Sequence, residues 1–257
     1  MLLNHLSMSV RSIVKQRLYS TINIVGLAAG LAITVLIILF VNHENSFDKN
    51  IDGYENVYRL NWESNSSGAR FATFFNPVSK MVVDANATDV EALTRITISE
   101  RLLSIGENKL YQQISFVDPN YFDFFSYEQL NGTSNPLSNL NNIILTEFAA
   151  ETLFPGENPV GKTITIDGQH DFQVTAVVSN NKSNSHQVSN IFVNVEMLPT
   201  IWNNPDFWQR NFSDQLFHYV KLIPEISGED FSNTVHAYIK NNISAEYAED
   251  VTVHAQP

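Results

Sequence analysis

The chain has 257 residues, 44% of them apolar, with 15 Lys and Arg against 27 Asp and Glu and no cysteine. A formal net charge of −12 argues against a nucleic-acid backbone as partner, and the missing thiols remove disulfides and cysteine-held metals from consideration. The charge is unevenly spread: residues 1–45 carry three basic and one acidic side chain, whereas residues 46–257 carry 12 basic and 26 acidic ones. The acidic part is long enough for one large or two small domains with a proper core.

Residues 2–18 place Leu2, Leu3, Leu6, Val10, Ile13, Val14 and Leu18 at spacings of three and four, with Asn4, Arg11, Lys15 and Arg17 mostly off that stripe. This predicts an amphipathic helix with a basic polar face, suited to an anionic membrane surface. From Leu18 to Asn42 no charged residue occurs. A helix over Thr21–Val41 is about 31 Å long at 1.5 Å per residue, enough for a hydrocarbon core of about 30 Å. The run is longer than the apolar core of a signal peptide and ends in Ile-Leu-Phe-Val-Asn-His, which is a poor cleavage site. Basic residues precede it; Glu44, Asp48 and Asp52 follow. The positive-inside rule therefore puts the N-terminus in the cytoplasm and the remainder outside. Gly26 and Gly30 form a small-xxx-small pair, predicting a face that packs against another membrane helix.

The exported part reads as α+β. Val57–Trp62 alternates as a strand, and Asn76-Pro77 starts a helix through about Ala87. Ala92–Ile98 and Leu110–Val117 are strands about a Gly106–Lys109 turn, and Asp118–Phe125 is a short capped helix with aromatics to bury. Asn131–Asn142 reads as loop and Ile143–Leu145 as a short strand. Thr146 caps a helix over Glu147–Phe154. Lys162–Ile166 and Phe172–Val178 make a hairpin about Asp167-Gly168. A polar loop at Asn180–Ser185 precedes a strand at Ile191–Val195. Phe217–Leu222, Asp230–Asn242 and Val251–Ala255 follow as strand, helix and strand.

The sharpest chemical pattern is Gly156-Glu-Asn-Pro-Val-Gly-Lys-Thr163, which satisfies the phosphate-loop expression. A working loop needs a strand before it and a helix after it, so that the helix N-terminus and loop amides cradle phosphate. Here a helix precedes, a strand follows, and Pro159 removes one N–H. The segment is a helix-to-strand turn. The seven histidines form no metal-binding array, and Ser185-His186 has no nucleophile elbow. No catalytic, cofactor or metal residue is assigned, and the chain is read as non-enzymatic.

The segment Asn4–Leu31, then Phe47-Asp48, Val57-Tyr58-Arg59, Val117-Asp-Pro-Asn-Tyr-Phe-Asp-Phe-Phe125, Leu145–Ala150, Leu153-Phe154, Asn158–Lys162, Phe172–Val178 and Asn184-Ser-His186 together resemble, in order and spacing, ABC transporter permeases of the MacB/FtsX type, in a Bacteroidetes-like version. The resemblance implies a cytoplasmic segment (1–19), a transmembrane helix (20–42) and a MacB-like periplasmic core domain (43–257). That domain would comprise a porter-like α/β subdomain (55–125 and 214–257) and an inserted mostly-β subdomain (126–213). It further implies a bacterial inner membrane, a cytoplasmic ABC ATPase subunit, the lipid bilayer, a second copy or paired permease, and a periplasmic partner; no nucleic acid and no cofactor are expected. Such permeases continue into further membrane helices, so a chain stopping at Val253–Pro257 is expected to be the N-terminal portion of a longer permease or a truncated product. A single-pass sensor or anchored binding module is the alternative, disfavoured by only some 20 residues on the cytoplasmic side. An anchored envelope hydrolase lacks a visible constellation.

Overall fold

The computed structural model describes residues 15–44, 53–85, 88–180, 189–209 and 216–257. The chain divides into two units, residues 1–47 and 48–257. In the first, helix α1 runs from Arg17 to Glu44, and within it Arg17–Asn42 is long and apolar enough to cross a membrane. Its large apolar side chains, from Leu18 to Val41, are all exposed. Most of the expected amphipathic segment lies outside the described residues, as do residues 86–87 of the expected second helix and the Ser185-His186 pair.

The second unit is built on one eleven-stranded sheet. In chain order its strands are β1 (Val57–Ser64), β2 (Arg70–Phe71), β3 (Val90–Ile105), β4 (Asn108–Val117), β5 (Gln129–Gly132), β6 (Asn142–Thr146), β7 (Thr163–Ile166), β8 (His170–Val178), β9 (Ile191–Asn194), β10 (Phe217–Leu222) and β11 (Val251–Gln256). Their spatial order is β11-β1-β10-β3-β4-β9-β6-β8-β5, with β2 on β1 and β7 bridging β3 and β8. Most pairs are antiparallel; β4 with β9 and β6 with β8 are parallel.

Two helical layers follow from the sequence pattern. Helices α2 (Asn76–Ala85), α6 (Gly228–Asn242) and α7 (Ala245–Asp250) bury Val78, Val82, Phe231, Val235, Ile239 and Ala248 in one cluster with Leu60, Trp62, Val220 and Val253. A second cluster joins α4 (Glu147–Leu153) and α5 (Leu198–Ile201) to Ile143, Leu145, Phe172, Val174 and Val193. The alternate residues Ile144, Ala176 and Phe192 face the other way, into a cluster with Tyr121 of α3 (Tyr121–Phe124). Strands β6 and β9 are therefore buried on both faces, which is why they read as unbroken apolar runs rather than as alternation.

Side-chain caps fix the helix starts. The Thr146 hydroxyl accepts the Ala149 N–H at 3.2 Å, Ser227 accepts that of Asp230 at 3.1 Å, and Ser244 accepts that of Tyr247 at 3.1 Å. The hairpin of β3 and β4 extends well past the expected ends, pairing continuously from Ile96↔Val117 to Ile105↔Asn108. Glu100 and Arg101 interrupt the apolar alternation there. Arg101 nevertheless lies 3.5 Å from Asp167, whose carboxylate also accepts the Leu102 N–H, so β7 ties the hairpin down. The expected loop from Asn131 begins inside β5, because Gly132 takes φ +110° and a Cβ there would meet the Thr175 carbonyl at 2.2 Å. Strand β2, helix α7 and the turns at Val195–Met197 and Phe207–Gln209 were not foreseen.

Gly228 opens α6 directly against β1: an added Cβ would lie 2.6 Å from the Tyr58 ring and 3.0 Å from the Ala255 carbonyl. Gly228→Ala is expected to cost about 1–3 kcal/mol, read as a lowered Tm in a circular-dichroism melt. An unchanged Tm would mean that this contact is not a constraint.

Candidate functional site

Gly26 and Gly30 lie one turn apart on α1, and a Cβ added at either would meet nothing within 4 Å. The backbone on this face is open to close approach by another helix. One turn further on, the Thr34 hydroxyl donates to the Gly30 carbonyl at 2.9 Å, so its polar hydrogen is satisfied within the helix, as an apolar surrounding demands.

In the second unit the described residues contain no group of three or more His, Cys, Asp or Glu that could hold a metal. The phosphate-loop-like segment joins α4 to β7. Gly161 N–H donates to the Val174 carbonyl at 2.8 Å, Lys162 N–H donates to the Pro159 carbonyl at 3.0 Å, and the Lys162 ammonium pairs with Glu157. Two of its amides and its lysine are thus committed within the fold, as expected for a structural turn.

The strongest polar constellation is one that the periodicity of the sequence did not mark. Arg95, only 6% exposed on β3, faces Asp118 just beyond the end of β4. Arg95 Nε donates to Asp118 Oδ2 at 2.9 Å, Nη2 donates to Oδ1 at 2.7 Å, and the Arg95 backbone N–H donates to Oδ2 at 2.7 Å. The Asp118 N–H returns a bond to the Arg95 carbonyl at 3.2 Å. Nη2 also reaches Glu196 Oε1 at 3.0 Å, and the guanidinium carbon lies 4.7 Å from the centre of the Trp208 ring. A bidentate fork of this kind is the strong form of the ion pair. Burial alone lowers the guanidinium pKa, but Asp118 and then Glu196 overcome it, so Arg95 is held above its ordinary value.

This explains the Asp-Pro-Asn-Tyr segment. Its Asp118 carboxylate binds Arg95 instead of capping α3, whose cap residue Asn120 makes no side-chain cap bond and donates to the Leu93 carbonyl at 2.9 Å. Tyr121 then packs with Phe125, Tyr127 and Phe192. The one available signal was an aspartate placed directly after a strand whose hairpin partner carries an arginine.

His218 on β10 lies directly across from Arg95 in the ladder and is fully buried. Neither ring nitrogen makes a hydrogen bond of full geometry, the Leu216 carbonyl being only a weak neighbour, and Phe74 meets the ring edge-on at 6.0 Å. Burial first, and the Arg95 charge second, outweigh the opposing Leu216 carbonyl and lower its pKa from 6.5 to about 3. Between those values the unfolded chain binds a proton that the folded chain refuses, so this histidine subtracts stability as pH falls from 6.5 towards 3. His218→Phe is expected to flatten the fall of Tm across that window relative to the parent chain. Parallel Tm–pH curves for the two would contradict the assignment.

The chain matches known proteins along most of its length. The sequence pattern of the MacB-like periplasmic core domain matches residues 20–245. The macrolide export ATP-binding/permease protein MacB of Aggregatibacter actinomycetemcomitans is 26% identical over 183 residues, covering 67% of this chain and 28% of that protein. The uncharacterized ABC transporter permease YvrN of Bacillus subtilis is 25% identical over 182 residues, covering 65% of this chain and 44% of YvrN. The chain thus corresponds to less than half the length of either relative. Among solved structures, a domain of a putative permease from Porphyromonas gingivalis superposes with a TM-score of 0.67 at 15% identity, covering 80% of this chain and 90% of that one. The periplasmic region of MacB from Actinobacillus actinomycetemcomitans gives 0.56 at 16%, covering 80% and 92%. The extracellular domain of the noncanonic ABC-type transporter YknZ from Gram-positive bacteria gives 0.55 at 15%, covering 79% and 100%. At these identities the structural matches establish the fold alone.

Proposed function

The chain belongs to the MacB-like periplasmic core domain family, and on that premise we propose that it supplies the first membrane helix and the extracytoplasmic domain of an ABC-type permease. In this reading the chain itself performs no chemistry. A cytoplasmic ATPase subunit drives the membrane helices, and the domain passes that motion to a substrate or a periplasmic partner. The N-terminus lies in the cytoplasm of a bacterial inner membrane and residues 43–257 lie outside. The domain divides into a porter-like part (55–125 and 214–257) and an insertion (126–213), with Arg95–Asp118 and Glu196 joining the two.

The observation that carries this reading is the position of β1. Among the described residues it is the first strand after the apolar helix, and it sits inside the sheet, pairing with β10 through Val57–Leu60 and with β11 through Arg59–Ser64. A displacement carried along the chain from α1 is therefore applied to an interior strand held on both edges, not to a peeling edge strand. Such a relay also needs a bistable element; the junction between the two parts is where the reading places it.

Gly26 and Gly30 are assigned to the contact of α1 with a second membrane helix, in a paired permease or a second copy. Gly26→Ile and Gly30→Ile are expected to weaken that association in a membrane two-hybrid assay while leaving membrane insertion unchanged. Unchanged association in both variants would remove this face from the interface. Co-purification of the membrane-embedded protein with an ATPase subunit tests the transport reading itself; a functional protein isolated reproducibly without any such subunit would count against it.

A further inference from the structure

Leu60, Trp62 and Val253 turn inward to α2 and α6, so by strand alternation Arg59, Asn61, His254 and Gln256 share the other face of β1 and β11. The register sets Arg59 across from Gln256 and Asn61 across from His254. With Arg70 and the stacked rings of Trp62 and Phe71, whose centroids are 4.2 Å apart, these side chains line a cavity of about 330 Å³. That volume is at the small end of the range for ligand sites, about 300–1,000 Å³.

Arg59 differs from the other shielded cations by its unmatched charge. Among the described residues, Arg95, Arg101, Lys162 and Lys221 are also partly or wholly withdrawn from solvent, and each pairs with an aspartate or a glutamate. Half-buried Arg59 has no acidic partner among them, although residues 46–257 hold 26 acidic side chains against 12 basic ones. A charge held partly out of water without a counterion costs free energy. Glu63, on the same face of β1, is taken by Arg70 at 2.8 Å and approached by His254 at 3.8 Å. No acidic side chain is among the described residues that line the cavity.

The neutral acceptors of the cavity are already engaged. Arg59 Nε donates to Asn61 Oδ1 at 3.1 Å, Asn61 Nδ2 donates to Gln256 Oε1 at 2.7 Å, and Arg59 Nη2 donates to the same oxygen at 3.4 Å. Donors are left over. Arg59 Nη1 bonds to no described residue and is not one of the buried unpartnered atoms, so solvent reaches it. Gln256 Nε2, on an exposed side chain, is likewise without an acceptor among the described residues. A free guanidinium edge beside an amide N–H, with both side-chain carbonyls engaged, is the chemistry that receives an oxyanion. One unmatched positive charge calls for one negative charge, and Phe71 offers apolar surface to whatever carries it.

We propose that this cavity binds a singly charged oxyanion, a carboxylate or a phosphodiester, through the free edge of Arg59 and the amide of Gln256, with the apolar body of the ligand against Phe71. A soluble ligand and an anionic lipid headgroup both present that chemistry, and the inference does not depend on the transport reading.

The test uses the full chain in phosphatidylcholine nanodiscs, with empty nanodiscs as control, and saturation-transfer NMR on benzoate and on benzamide, which has nearly the same shape and no charge. A saturable signal from benzoate and none from benzamide is expected. Gln256→Glu puts a carboxylate where the Gln256 carbonyl now accepts from Arg59 and Asn61. It is expected to raise Tm by matching the charge internally, and to weaken benzoate binding about tenfold or more. Arg59→Gln is expected to weaken binding by at least as much. Nanodiscs doped with phosphatidylglycerol separate the sources, in about 0.15 M salt so that surface charge is screened beyond about 8 Å. A benzoate signal lost there supports a headgroup as the occupant, and one retained supports a soluble anion. No saturable benzoate signal in phosphatidylcholine overturns the proposal, as do equal signals from benzoate and benzamide. Binding that survives either substitution unchanged overturns it too, as does a lowered Tm in Gln256→Glu, which would show that Arg59 already has its charge matched.

Discussion

The buried fork between Arg95 and Asp118 is the constraint on which the rest of the domain depends. Removing a guanidinium and a carboxylate from water costs several kcal/mol per ion, recovered only when geometry is good and the remaining hydrogen-bonding positions are filled. Here the geometry is good and most positions are filled. Asp118 accepts two side-chain bonds and one backbone bond from Arg95, and Glu196 takes a further one at 3.0 Å. The pair closes the end of the β3–β4 ladder, and Glu196, 101 residues away from Arg95 in sequence, is drawn onto the same charge. The short turns after β9 thereby hold a defined position against β3. Burial first, and the same charge second, explain His218: an imidazole buried across the ladder from a guanidinium stays neutral.

The membrane helix obeys a different rule. Nothing in α1 is buried within the described chain, and a helix of that composition satisfies its backbone internally while leaving its surface to lipid or to other helices. Its side-chain polarity is confined and partnered, as at Thr34. The acidic second unit carries its apolar residues inward in four clusters. Among the described residues β1 is the first strand of the second unit, and it is paired on both edges.

Much of this was legible in the sequence, and what was not has physical reasons. The uncharged run announced α1 by length alone. Thr146 announced α4 because the cap and the helical spacing that follows agree. The false phosphate loop was excluded by the order of its flanking elements, which the fold reproduces. The ends of β3 and β4 were missed because Glu100 and Arg101 are charged, and their tolerance within the ladder comes from Asp167, a tertiary partner that periodicity cannot reveal. Strand β2 has two residues and exists only through its pairing to β1. The ionic centre and the cavity beside Arg59 escaped notice because their residues come from separated segments, each unremarkable by itself. Family resemblance pointed to Asp118 and its neighbours without saying what the carboxylate does; the geometry supplies that.

A double-mutant cycle on Arg95→Met and Asp118→Leu, read by chemical denaturation of the full chain in detergent, tests the central constraint most directly. Arg95→Met strands the Asp118 carboxylate, and Asp118→Leu leaves Arg95 with Glu196 alone; each is predicted to cost about 3–5 kcal/mol, whereas the double change removes the fork and is predicted to recover at least about 2 kcal/mol of the summed loss. Additive losses, with a coupling below about 0.5 kcal/mol, would contradict the claim that this pair holds the domain together.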